Sequence, residues 1–164
     1  MQVPASIFKA YDIRGIINET LNPEIAYAIG QAFGSQMRDL SETEVVIGRD
    51  GRLSGPQLIE ALSKGLLSTG INVIDLGMVA TPMVYFAANH TLDSIQPKSG
   101  IMITGSHNPP NYNGFKMVLG GSAIYGEQIQ SLRKQIEREH FHQGTGQRST
   151  FNIFPQYLKY IVGD

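Results

Sequence analysis

Short apolar runs alternate with amphipathic stretches along this chain, and the two kinds of segment have different periods. Glu44-Val45-Val46-Ile47-Gly48 is a continuous apolar run of strand length, as expected of a strand covered on both faces. Ile71 to Leu76, Gly100 to Thr104 and Gly114 to Leu119 read the same way. Between these runs the period changes to that of a helix. Ile25, Ile29, Phe33 and Met37 recur along one face of a stretch opened by Asn22-Pro23-Glu24, with Asn22 as the cap and Pro23 in the first turn. Leu58, Ile59, Leu62, Leu66 and Leu67 form a second face, for which Ser54 and Gln57 have capping-box spacing and Gly70 is the stop. Thr81-Pro82 predicts the cap of a third helix, running to about Asn89. Gly126 to Glu139 predicts another, with Ile129, Leu132 and Ile136 inward and Arg133 and Glu137 spaced to pair. Residues 140–150 read as a polar loop. Strands alternating with helices imply an α/β sandwich with helices on both faces of the sheet.

A chain of 164 residues suits one domain, which at that size can bury roughly 70% of its unfolded surface. Only 16% of residues are charged, against about 25% in an ordinary domain, which excludes a disordered or coiled-coil chain. The formal net charge of -1 offers no basic excess for a polyphosphate backbone, so no nucleic acid is expected as a partner. The absence of cysteine removes disulfides, thiolate metal sites and cysteine nucleophiles. No apolar run approaches the ~18 residues of a membrane span, and Met1 to Lys9 lacks the pattern of a signal peptide, so a cytoplasmic protein with no membrane association is expected. At the other end, Ile153, Phe154, Tyr157, Leu158 and Ile161 make an apolar helical face, which either packs back on its own domain or leads into more chain.

Three polar, glycine-bearing loops lie beside expected strands: Ala10-Tyr11-Asp12-Ile13-Arg14-Gly15, Gly48-Arg49-Asp50-Gly51-Arg52, and Thr104-Gly105-Ser106-His107-Asn108-Pro109-Pro110 with the following Asn111 to Lys116. Open α/β sheets place ligands at strand ends. Lys9, Arg14, Arg49, Arg52 and Lys116 are five of the 13 Lys and Arg residues, and their clustering in or beside these loops suggests an anion pocket. Ser106 is the candidate nucleophile, with Gly105 expected to take a backbone turn closed to other residues and Asn108-Pro109 to turn the chain away. The same spacing also fits a simple tight turn in which Thr104, Ser106 and Asn108 bond to backbone. His107 is adjacent, but adjacency does not bring an imidazole onto its neighbour's hydroxyl. His90, His140 and His142 are read as solvent-facing. The acyl-hydrolase elbow, the Walker A loop, the dinucleotide fingerprint, and zinc and calcium motifs are all absent.

Thr104-Gly105-Ser106-His107-Asn108-Pro109 resembles the phosphoserine loop of the α-D-phosphohexomutases. Ile7 to Gly15 and Gly48 to Arg52 resemble the other two signatures of that family's first domain, in the same order. The pattern is similar to the bacterial phosphomannomutase/phosphoglucomutase branch and departs from that of the phosphoglucosamine mutases. The resemblance implies a three-layer αβα sandwich with a mixed, mostly parallel sheet over residues 1–152. Residues 153–164 would be a terminal helix leading towards a second domain that this chain does not contain.

The resemblance further implies an isomerase that interconverts hexose 1-phosphate and hexose 6-phosphate through a phosphoserine and a hexose 1,6-bisphosphate. Ser106 would be that phosphoserine, and its phosphate oxygen would be one ligand of Mg²⁺. Tyr11 and Arg14 would line the site, with Arg14 near the transferring phosphate, and Lys116 and His107 would be candidates for proton transfer. Arg49, Asp50, Arg52 and Asn108 would support the loop, with Asp12 and Asp50 as internal counterions. The aspartate-rich metal loop, the sugar loop and the second phosphate loop of the family are missing, so the remaining domains are expected as partners and this chain alone as inactive. A stand-alone anion-binding module without catalysis, or a phosphoglucosamine mutase domain, is the alternative. Phosphoryl transfer asks chiefly for positioning and charge neutralisation. Arginine grips two phosphate oxygens at once, and lysine is the better proton shuttle because burial beside cations lowers its pKa.

Overall fold

The computed structural model describes residues 1–163, so Asp164, at the end of the expected terminal helix, lies outside the described residues. Seven strands form one sheet: β1 (Ile13–Ile16), β2 (Glu44–Arg49), β3 (Asn72–Met78), β4 (Ser99–Ile103), β5 (Tyr112–Leu119), β6 (Ser122–Ala123) and β7 (Arg148–Thr150). Their spatial order is β1-β5-β4-β2-β3-β7, with β6 also on β5. β4, β2, β3 and β7 pair in parallel, while β5 is antiparallel to β4, β1 and β6. Strand β5 alone therefore runs against the rest. The sheet is mixed and mostly parallel in direction, as the resemblance implies.

Parallel neighbours need helical crossovers, and such crossovers are almost always right-handed. The chain leaves β2 through α2 (Gly55–Leu67) to β3 on one side, then returns from β3 through α3 (Thr81–Ala87) past β2 to β4. Opposite directions with one handedness put α2 and α3 on opposite faces. Helices α1 (Pro23–Asp39) and α4 (Glu127–Arg138) join α2, and α5 (Phe154–Val162) joins α3, giving three layers. Side-chain alternation divides the core accordingly. Val45, Ile47, Ile101, Ile103, Ile13 and Phe115 pack with Phe33, Leu62 and Ile129 on the α1/α2/α4 side. Val46, Met102 and Val118 pack with Val84 and Phe86 on the α3 side.

Helix α1 begins as its sequence demands: Asn22 Oδ1 accepts from the backbone N–H of Ile25 at 2.8 Å. The other two caps differ from expectation. Ser54 makes no cap bond; its Oγ accepts from Asn113 Nδ2 at 2.8 Å, so a tertiary partner has taken the capping oxygen. Thr81 lies inside α3, whose cap residue is Ala80, and the helix ends at Ala87 rather than Asn89. In α4, Arg133 Nη1 and Glu137 Oε1 pair at 3.2 Å as their spacing predicts. Among the histidines, His140 is exposed and His142 pairs with Asp39 at 2.7 Å, but His90 is half-buried and stacks on Phe86 with ring centroids 3.9 Å apart.

Three strands, β1, β6 and β7, carry no apolar run. β1 is short and contains Arg14 and Gly15. β7 lies in the stretch read as a loop and is wholly exposed; β3 supplies its backbone pairing, and Arg148 binds Glu60 and Asp75 at 2.7 Å each. The last helix partly resolves its two readings. Ile153 is buried, Tyr157 and Tyr160 lie against Phe86, and Gln156 Nε2 donates to the Thr91 carbonyl at 2.9 Å. Phe154, Leu158 and Ile161 remain about half exposed, so only part of the apolar face packs back. No described helix is long and apolar enough to cross a membrane.

Helices α1 and α2 touch backbone to backbone. A Cβ at Gly65 would strike the Tyr27 carbonyl, and one at Gly30 would come within 2.5 Å of the Leu62 carbonyl. Overpacking a rigid core costs about 1–3 kcal/mol. Gly65→Ala is expected to destabilise the fold by at least that much, measured as the shift of the urea unfolding midpoint, despite alanine's better helix propensity.

Candidate active site

The winding reverses at β2, so a crevice opens at the carboxyl ends of β2, β3 and β4. The loops after β2 and β4 meet there. Arg52 projects from the first loop into the second. Its Nη2 donates to the backbone carbonyls of Asn108 (2.7 Å) and Ser106 (3.2 Å), and its Nη1 to those of Pro109 (2.5 Å) and Tyr112 (3.1 Å). Asp50 binds the same loop from below: Oδ2 accepts from Thr104 Oγ1 at 2.9 Å and from the Gly105 N–H at 3.0 Å. Its Oδ1 accepts from the Arg52 backbone N–H at 3.2 Å, closing a turn within its own loop. Asn108 Nδ2 donates to the Gly105 carbonyl at 2.9 Å. Arg49 donates to the Asp50 carbonyl at 3.4 Å. Asp50, Arg52 and Asn108 hold the loop around Ser106 by these bonds, whereas Arg49 bonds only to its own loop.

Ser106 stands exposed at the top of this braced turn. Its N–H donates to Thr104 Oγ1 at 3.0 Å and its carbonyl accepts from Arg52, so both peptide groups are held, while its hydroxyl makes no hydrogen bond among the described residues. The expected division of labour with Gly105 is reversed. Ser106 itself takes the left-handed conformation, with φ of 52°. Gly105 does not have a positive φ; it is glycine because a Cβ there would overlap the Arg52 guanidinium. A left-handed serine is strained by roughly 1–3 kcal/mol, which the bonds from Thr104, Asp50 and Arg52 hold in place. His107 is exposed beside it and, among the described residues, makes no hydrogen bond to it.

Arg14 and Lys116 reach the site through the sheet. β1 is staggered so that Ile13 pairs with Phe115, which pairs in turn with Ile103. Arg14 therefore lies opposite Gly114, whose carbonyl accepts from the Thr104 N–H at 3.0 Å at the base of the Ser106 loop. Arg14, Lys116 and Met102 share the face of the sheet covered by α3. On that face is a cleft of about 660 Å³ lined by Lys9, Tyr11, Asp12, Arg14, Tyr85 and Lys116 among others. Ser106 does not line this cleft. Arg14 links the two, donating to Asp12 Oδ1 and to Asn108 Oδ1 at 3.4 Å each. Its Nε is buried with no partner among the described residues, a donor that an anion would satisfy. Tyr11 is 77% exposed at the cleft mouth. Tyr85, supplied by α3, was not legible as a site residue. Burial, and then the Asp12 carboxylate, push its phenol above the ordinary value of 10.0 and keep it a neutral donor. No three His, Asp or Glu side chains gather as a metal site among the described residues, so this chain's residues do not by themselves fit Mg²⁺.

Residues 5–143 match the family model of phosphoglucomutase/phosphomannomutase, alpha/beta/alpha domain I. The chain belongs to that family. A phosphomannomutase/phosphoglucomutase of Pseudomonas aeruginosa is 51% identical over 162 residues, covering 99% of this chain and 34% of that protein. A phosphoglucomutase of Neisseria meningitidis serogroup B is 50% identical over 163 residues, covering 98% and 35%. The crystal structure of a phosphoglucomutase/phosphomannomutase family protein from Burkholderia thailandensis matches at 51% identity with a TM-score of 0.96, over 99% of this chain and 36% of that one. The chain thus spans about a third of the length of these mutase relatives.

The Arg52 bracing generates a test. Hydrogen bonds from a charged donor contribute about 1.5–3 kcal/mol each when buried and less where solvent reaches them. Arg52→Ala is expected to lower stability by about 1.5–3 kcal/mol and to free the Ser106 loop, read as faster amide exchange at Ser106, His107, Asn108, Asn111 and Tyr112. Unchanged exchange there would mean that the loop holds its shape without the guanidinium.

Proposed function

We propose that this chain is the phosphoserine domain of a cytoplasmic phosphohexomutase, with residues 1–152 as the domain and 153–164 leading onward. The enzyme would interconvert hexose 1-phosphate and hexose 6-phosphate. The observation that carries the reading is a left-handed, exposed Ser106 on a loop tied down by Asp50 and Arg52, beside a cleft lined with Lys9, Arg14 and Lys116. A phosphoserine carries about -1.5 to -2 charges at pH 7, and this is where the chain concentrates fixed cations.

In the forward half-reaction a hydroxyl of the bound hexose phosphate attacks the phosphorus of phosphoserine 106. The new O–P bond forms, the Ser106 Oγ–P bond breaks, the attacking hydroxyl loses its proton, and Ser106 Oγ takes one to become a hydroxyl. The product is a hexose 1,6-bisphosphate. After the sugar reverses its orientation, its other phosphate returns to Ser106 Oγ. Lys116 lies on the α3-side face of the sheet in the cleft, where its neutral amine would take the proton of the attacking hydroxyl and its ammonium would give one to the departing Ser106 Oγ; His107, exposed next to Ser106, is the second candidate. Arg14 neutralises the moving phosphoryl group, using the buried Nε that lacks a partner among the described residues. Tyr11 offers an exposed ring for the sugar at the cleft mouth. Mg²⁺ prefers about six oxygen ligands, of which phosphoserine 106 would supply one; the others would come from outside this chain. The hexose phosphate and the remaining domains of the polypeptide are then the partners.

In the complete mutase, Ser106→Ala is expected to abolish most turnover together with the phosphoserine detected by mass spectrometry. Lys116→Arg keeps the charge but binds its proton too tightly to act as acid or base, with a loss in the range of about 10²- to 10⁴-fold. Arg14→Lys loses the two-point grip on phosphate and is expected to fall less. Normal turnover in Ser106→Ala, with no phosphoserine elsewhere, would overturn the reading; a silent Lys116→Arg would move the proton to His107 or to another domain.

A further inference from the structure

We infer that Tyr85 contacts the substrate: its phenol hydroxyl and the Asp12 carboxylate together recognise one ring hydroxyl of the hexose phosphate. This rests on the mutase reading of the cleft. Helix α3 packs Val84 and Phe86 into the core and turns Tyr85, half-buried, into the cleft that also holds Asp12, Arg14 and Lys116. The Tyr85 carbonyl is taken by Asn89 Nδ2 at 2.8 Å, but its hydroxyl has no partner among the described residues. The ring packs against the α3-side core while its hydroxyl, unpartnered, stays accessible, so packing alone would be served as well by phenylalanine. The hydroxyl is free to donate to a ligand that enters the cleft.

The charges in the cleft indicate which ligand group this is. Lys9, Arg14 and Lys116 draw phosphate oxygens, whereas the Asp12 carboxylate repels them. Asp12 Oδ1 is engaged by Arg14 at 3.4 Å, and its second oxygen can still accept. A sugar hydroxyl both donates and accepts, so it can give its proton to Asp12 and receive one from Tyr85. Burial and the Asp12 charge keep the phenol protonated, as that donation requires. A site that hydrogen-bonds a substrate hydroxyl discriminates against analogues lacking it.

The test uses the complete mutase with glucose 1-phosphate and its 2-, 3- and 4-deoxy analogues, comparing wild type with Tyr85→Phe. Thermal unfolding of both proteins is run alongside and is expected to coincide. Tyr85→Phe should lower kcat/KM for glucose 1-phosphate by about 3- to 10-fold, the worth of one neutral hydrogen bond. On one deoxy analogue, and only one, the two enzymes should be equal, because the hydroxyl that Tyr85 reads is already gone. An unchanged kcat/KM on the parent, or the same loss on all three analogues, would overturn the Tyr85 contact and leave the mutase reading standing. No turnover by the wild-type enzyme would overturn the mutase reading itself, and the contact with it.

Discussion

The reversal of winding at β2 is the constraint on which the site depends. Because β3 and β4 flank β2 and are reached by crossovers of one hand in opposite directions, α2 and α3 must lie on opposite faces. The loops after β2 and β4 then emerge side by side with no helix between them. That proximity lets a guanidinium from one loop hold the carbonyls of the other. It also explains why Gly105 has no side chain: the space a Cβ would need is occupied by Arg52.

The reversed strand β5 does the second part of the positioning. It carries Lys116 on the face that α3 covers, pairs with β4 on one side, and pairs with β1 on the other. A cation that is distant in sequence, Arg14, is thereby set across Gly114 from the base of the Ser106 loop. The two halves of the site have different characters. The Ser106 loop is rigid and internally bonded, whereas the cleft beside it holds a buried guanidinium nitrogen and a phenol whose partners are not found among the described residues. The first half presents an exposed serine, the phosphoryl carrier of the proposed reaction, and the second leaves donors open to a ligand.

The strand and helix periods, the three ordered loops and the Asn22 cap were legible in the residues because each depends on near neighbours in the chain. The hydrogen bonds of Asp50 and Arg52 to the Ser106 loop join segments more than 50 positions apart, and only the resemblance suggested them. The short strands β1 and β7 were not legible. Their residues lack an apolar run, and their conformation comes from the edge of a sheet already formed. Ser54 read as a cap until a side chain 59 positions away took its oxygen.

The sequence by itself determined which chemical groups are present and which segments must be buried: one hydroxyl among glycine, histidine and asparagine, three loops rich in cations, and apolar faces for a layered α/β fold. Local patterning specifies these because periodicity and turn chemistry act over a few residues. Only the tertiary structure decided that the left-handed residue is Ser106 rather than Gly105, that Arg14 reaches the loop through β5, and that Tyr85 enters the cleft from α3. Each of these depends on strand order, register and helix face, which are set by contacts between residues far apart in the chain and leave no periodic trace along it.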